Sequence, residues 1–298
     1  MIKMNKILRN ILSIAVVSAS FFSCSQVDLL SEDELVEQKK STAITVSLSD
    51  WPTTRTVVFA TNTAGSCDTV FTYNFNKENK LTDIPMGKYK FYAISINTTG
   101  YDYENLNFDA LSKGKQYYGD VIIKCKTSEY STSDEGVQRA LSGKYVSSNS
   151  GGVYADSTML VEVKLGQEAH ATFQKSYKLT TQYKVSGSIT SSRAAQNVYV
   201  EICDIIGKKK PNGAAIGGNK VKCVLPIGGT VKDTKREFKQ YLTVLGVSKT
   251  GTANIYVRFK GDDTSTTPEM KSVIYTVVDG QEDDGTPRRI IKLGDITF

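Results

Sequence analysis

The chain has 298 residues, a length that suits about two domains. Apolar residues are 40% and charged residues 23%, with 23 Gly and 6 Pro, which excludes collagen-like and wholly disordered chains; 16 Tyr, 11 Phe and abundant Thr and Val favour pleated, half-buried surfaces and an all-β class. The formal net charge of +6 shrinks once Lys3, Lys6 and Arg9 are set aside, because 34 of the 37 basic residues then face 31 acidic ones, and no basic stripe remains for a nucleic-acid partner.

Those three cations precede the uncharged run Ile11 to Phe22, followed by Ser23 and Cys24. This is the layout of an export signal, and about 12 apolar residues fall short of the roughly 20 needed to cross a bilayer. A small residue directly before Cys24 resembles the lipobox of bacterial lipoproteins, which implies cleavage after residue 23 and acylation of the Cys24 thiol. A plain secretory signal with an incidental cysteine is the alternative. Residues 24–41 hold Asp28, Glu32, Asp33, Glu34 and Glu37 and read as a solvated acidic tether. Acids behind a lipidated cysteine resemble a signal for the outer leaflet, so the expected location is the outer membrane, lipid-anchored and facing outward.

From Ala43 the pattern alternates with period two, with Ile44, Val46 and Leu48 on one face. Further strands are predicted at Thr56 to Thr61, Thr69 to Phe75, Lys88 to Asn97, Tyr117 to Cys125, Met159 to Leu165 and Ala169 to Tyr177, the last two joined by a tight turn at Gly166-Gln167. Thr98 to Gln116 and the Ser- and Gly-rich stretch Lys126 to Asp156 read as long loops. A second set begins near Thr181 and continues at Asn197 to Ile205, Lys220 to Ile227, Arg236 to Val247, Thr252 to Phe259, Ser272 to Val278 and Arg289 to Phe298. Two tandem sandwiches are expected, over 42–178 and 179–298.

The segment Asp83 to Asn97 contains Pro85-Met86-Gly87-Lys88-Tyr89 feeding a strand that ends in Asn97. It resembles the turn of transthyretin-like sandwiches in Bacteroidota surface proteins; Pro85 presets its own φ and Gly87 permits a positive one. With the lipobox, the segment Tyr101 to Phe108 and the second β-rich half, the chain resembles the FimB-type fimbrial anchor lipoproteins of Bacteroidales. That resemblance implies two transthyretin-like domains and a lipid-anchored accessory subunit that seats or terminates a surface fimbria. It also implies fimbrillin-like partners and assembly by strand addition, in which an extended segment completes another subunit's sheet. The first strand, Ala43 to Leu48, and the last, Arg289 to Phe298, are the candidate edges, although both also read as ordinary core strands. The alternative is a surface glycan-binding lipoprotein of a nutrient-uptake system. That role needs exposed aromatics, for which Trp51, Tyr101, Tyr103, Tyr117 and Tyr118 are the candidates.

Catalytic chemistry is not expected. His170 is the only histidine and sits in a strand start as an ordinary surface or edge residue. No cofactor or metal is expected, since Cys67, Cys125, Cys203 and Cys223 are too widely spaced for zinc. Keeping disulfides within each half would pair Cys67 with Cys125 and Cys203 with Cys223; four free buried thiols are the equal alternative. The acidic loops at Asp262-Asp263 and Glu282-Asp283-Asp284, and the basic loop Lys208 to Gly213, read as solvated turns. Thr69 and Ser157 lie in short Asp-Thr and Asp-Ser motifs that resemble O-glycosylation sites of Bacteroides.

Overall fold

Strands form wherever apolar and β-branched residues alternate, and the chain is all-β. The computed structural model describes residues 44–48, 55–62, 70–74, 80–81, 86–106, 118–164, 167–173, 177–228 and 235–298. The first half holds β1 (Ile44–Leu48), β2 (Arg55–Asn62), β3 (Val70–Asn74), β4 (Lys80–Leu81), β5 (Gly87–Ile96), β6 (Tyr101–Tyr103), β7 (Ile123–Cys125) and β8 (Ser128–Glu129). Helix α1 (Glu135–Ala140) comes next, followed by β9 (Lys144–Val146), β10 (Val153–Val163), β11 (Ala169–Phe173) and β12 (Tyr177–Lys178). The second half holds β13 (Thr181–Thr190), β14 (Ala195–Ile206), β15 (Lys208–Lys209), β16 (Lys220–Ile227), β17 (Lys235–Val244), β18 (Thr250–Phe259), β19 (Glu269–Gln281) and β20 (Pro287–Thr297).

The first half is built in three layers around the sheet β12-β10-β5-β2-β3. Gly87 starts β5 with φ 153°, as the turn motif requires. Tyr89, Phe91 and Ala93 of β5, with Val58 and Ala60 of β2, pack against Ala169, Ala171 and Phe173 of β11, which belongs to the sheet β11-β1-β4. On the opposite face Val57, Phe59, Ile94 and Ile96 meet Tyr101, Tyr103 and Ile123 of the small sheet β15-β7-β6. The central strands are therefore apolar on both faces, and Ala93 to Ile96 is buried without interruption. Ser95 is tolerated there because the Thr56 hydroxyl donates to its oxygen at 3.0 Å.

The second half is one sheet ordered β17-β13-β20-β19-β18-β14-β16-β9-β8. It curls so that Val185, Val200, Leu225, Phe238, Ile255, Tyr275 and Ile291 share one core. Parallel pairing of β13 with β20 shifts register between Ser186 and Ser188, beside Gly294 at φ 75°.

Three expectations are corrected. The stretch 126–156 is not a loop of the first half: it supplies β8, α1, β9 and the start of β10, and β9 pairs in parallel with β16. Its Val137, Leu141 and Tyr145 cover Tyr199, Val224 and Tyr256 on the outer face of the second sheet, and burial of that apolar surface orders a polar sequence. Residues 101–103 form a strand rather than part of a loop, because Tyr101 and Tyr103 fill the back of the five-stranded sheet. Finally, β10 and β11 are not a hairpin; β10 pairs with β5 and β12, whereas β11 pairs in parallel with β1.

The halves are interlocked. The chain passes from β12 to β13 through Leu179, near the expected boundary, yet β8 and β9 join the second sheet while β15 pairs with β7 of the first half. Leu179 and Leu245 are buried in the same core as Ile123.

Candidate interaction edges

Strand addition needs an unpaired edge; β20 is bonded on both sides, whereas β1 is bonded by β11 along its length and by β4 at Ile44 and Thr45 alone. β1 lies between β11 and β4, and β20 lies between β13 and β19. Alternation along a strand looks the same at an edge and in mid-sheet, so sequence pattern could not separate the two. Phe298 follows β20 and is held too: its amide donates to Thr190 O at 2.8 Å and its ring meets Phe259 edge-on with centroids 6.2 Å apart.

A long edge is offered by β17, which among the described strands pairs with β13 alone over ten residues. Phe238, Leu242 and Val244 point into the core while Lys235, Glu237, Lys239 and Tyr241 are exposed. The amide of Thr243 points away from β13 and donates to Ser148 O at 2.8 Å, so the turn at Ser148 and Asn149 caps one end of the outer edge. Antiparallel geometry turns every second residue the same way, which directs the amides and carbonyls of Tyr241, Lys239 and Glu237 outward. Among the described residues no strand pairs with them. Across the sheet face formed by β17, β13 and β20 lies a groove of about 260 Å³, lined by Ser186, Ser188, Glu237, Phe238, Lys239 and Asp295. Charged side chains on an edge resist indiscriminate pairing, so an incoming segment must match Lys235, Glu237 and Lys239.

No known family profile matches the chain, and no curated protein matches it. Solved structures do. A candidate adhesin from Bacteroides ovatus is 11% identical, with 78% of this chain and 81% of that one covered, at a TM-score of 0.49. The fimbrial anchor protein Mfa2 from Porphyromonas gingivalis is 12% identical, with 83% of this chain and 94% of that one covered, at 0.44. A candidate polysaccharide-binding protein from Bacteroides thetaiotaomicron is 11% identical, with 74% and 77% covered, at 0.43.

Of the residues singled out in the sequence, Cys24, Trp51, Cys67, Thr69 and Tyr117 lie outside the described residues. Ser157 is exposed, at the register shift of β10 rather than at a loop end. His170 is exposed on β11 between buried Ala169 and Ala171. Cys125, Cys203 and Cys223 are free thiols. The expected Cys203–Cys223 disulfide does not form, because Cys223 faces the core with Ile202 while Cys203 lies on the other face, its thiol 3.6 Å from Glu201 Oε2. Tyr101 and Tyr103 are buried and Tyr118 stacks on Tyr92 at 4.4 Å, so these tyrosines build core rather than a sugar platform. The basic loop is not simply solvated: Lys209 Nζ donates to Leu179 O at 3.1 Å and Leu245 O at 3.0 Å, and Lys208 pairs with Glu104. In the acidic loops Asp262 pairs with Arg193, and Glu282 is held between Lys184 and Arg288, both at 3.0 Å.

Two polar clusters fasten the 126–150 segment onto the second sheet, and sequence reasoning missed both. Asp134 caps α1 by accepting from Val137 N at 2.9 Å and also takes Arg258 in a fork, Nη2–Oδ1 2.7 Å and Nε–Oδ2 2.8 Å. Glu201, 1% exposed, accepts from Tyr145 Oη at 3.0 Å, Lys222 Nζ at 3.1 Å and Asn254 Nδ2 at 2.5 Å. Burial alone would raise its carboxyl pKa; donation by Asn254 and Lys222 and the Lys222 charge outweigh that and hold it below the ordinary 4.5. Because the folded carboxyl titrates below the unfolded one, its stabilisation is complete above 4.5 and is lost as pH falls through the lower folded value. Urea midpoints measured down a pH series should therefore drop below pH 4.5, and Glu201→Gln should flatten that drop while lowering the neutral-pH midpoint.

Proposed function

We propose that this protein is a lipid-anchored fimbrial anchor or accessory subunit of the outer membrane, and that it holds a fimbrillin-like subunit by accepting an extended segment along β17. The unpaired, fully formed edge of β17 carries the reading. The placement of β20 is compatible with it, because a strand bonded on both sides is not available for donation. In this reading Cys24 carries the acyl chains, residues 24–41 act as a tether, and the two interlocked β-rich halves, 42–178 and 179–298, stand outward from the membrane together. Acyl chains contribute about 0.8 kcal/mol per buried methylene, enough for several chains to keep a polymer base on the cell.

The test is crosslinking and affinity capture from intact cells, with mass spectrometry of the recovered proteins, alongside a Cys24→Ala version. Recovery of fimbrillin-like subunits from cells, and their appearance in the medium with Cys24→Ala, is the expected result. Recovery of glycan-uptake proteins instead, or a Cys24→Ala protein that stays on the cell, overturns it.

A further inference from the structure

A second concavity lies where the two halves meet. Its one wall is the passage from β12 to β13, with Lys178, Thr180 and Gln182; the other is the turn end of the β19–β20 hairpin, with Asp279, Arg288 and Arg289. Its volume is about 500 Å³, inside the roughly 300–1,000 Å³ of ligand clefts. Three cations line it against one carboxylate. Arg289 and Asp279 are 3.7 Å apart with side chains 58% and 94% exposed, a contact that water screens heavily. Arg288 is pre-oriented: Glu282 Oε1 accepts from its Nε at 3.0 Å, Gln182 accepts from Nη1, and its guanidinium lies 5.8 Å from the ring centre of the exposed Tyr241.

We propose that this cleft binds an acidic saccharide, with the sugar carboxylate on Arg289 and Lys178. A guanidinium fork matches a planar carboxylate. Thr180, Gln182 and Asp279 offer the mixed donors and acceptors that sugar hydroxyls use. The site does not involve the β17 edge facing outward, so it stands or falls separately from the fimbrial reading.

Calorimetric titration of the full chain, held in detergent, with hexagalacturonate and with its methyl ester tests the assignment. The expected result is binding of the acid at least tenfold tighter than the ester, and a loss of tenfold or more in Arg289→Ala and in Lys178→Ala. Both side chains are exposed, and unchanged circular dichroism verifies the variants' folding. Asp279→Asn, which removes the opposing charge, should tighten binding a few-fold. Equal binding of acid and ester, no binding of either at millimolar concentration, binding unchanged in both alanine variants, or a polyglutamate peptide that binds as well as the saccharide would each overturn the proposal.

Discussion

Arg258→Met should lower the free energy of unfolding by about 3–5 kcal/mol, the usual cost of stranding one member of a buried ion pair. The side chains of Arg258 and Asp134 are 1% and 5% exposed, so the Asp134 carboxylate would be left without its guanidinium and without water. The loss extends beyond the pair. Arg258 also donates to Asp263 O at 3.0 Å, Thr266 Oγ1 at 3.1 Å and Thr266 O at 2.7 Å, and it thereby closes the 263–266 turn over α1. Gly136 fits beneath that turn only because it has no side chain; a Cβ there would fall 1.6 Å from Thr266 O. Urea unfolding of Arg258→Met, Asp134→Asn and the double variant measures the coupling. The double variant should be more stable than Arg258→Met, since it removes the stranded charge. If Arg258→Met shifts stability by less than about 1 kcal/mol, the figure for an exposed pair, the latch is not buried in solution.

Lys239→Pro should abolish capture of the partner subunit and leave the fold nearly untouched. Proline removes one amide, and at Lys239 that amide faces outward, away from the β13 ladder. Gln240→Pro is the contrasting variant: its amide faces β13, so the substitution should break the ladder and cost about 3 kcal/mol or more. Capture measured by crosslinking should therefore vanish in Lys239→Pro at an almost unchanged urea midpoint. Full capture by a folded Lys239→Pro protein would remove β17 as the acceptor and move attention to β11 or β3, which end the sheets of the first half.

Legibility in the sequence followed the length of the pattern. Lys220 to Ile227 and Thr252 to Phe259 alternate for eight residues each and stand in the structure almost as read. The 126–150 segment failed because strands of two or three residues and a six-residue helix are too short to show a period. Val137, Leu141 and Tyr145 do recur every fourth residue, the one local signal that could have exposed the segment's buried side. Asp134 and Arg258 are 124 residues apart, and nothing near either one announces the other. The β17 edge was likewise hidden, because an edge is a property of strand order, which is set by pairings far along the chain.

The exchange of strands between the halves has a mechanical consequence for a protein pulled from both ends. A hinge of free chain would let each half respond separately to tension. Here β8 and β9 cannot leave the second sheet, nor β15 the small sheet with β7, without tearing ladders in both halves. Tension on either half therefore loads strand ladders shared with the other.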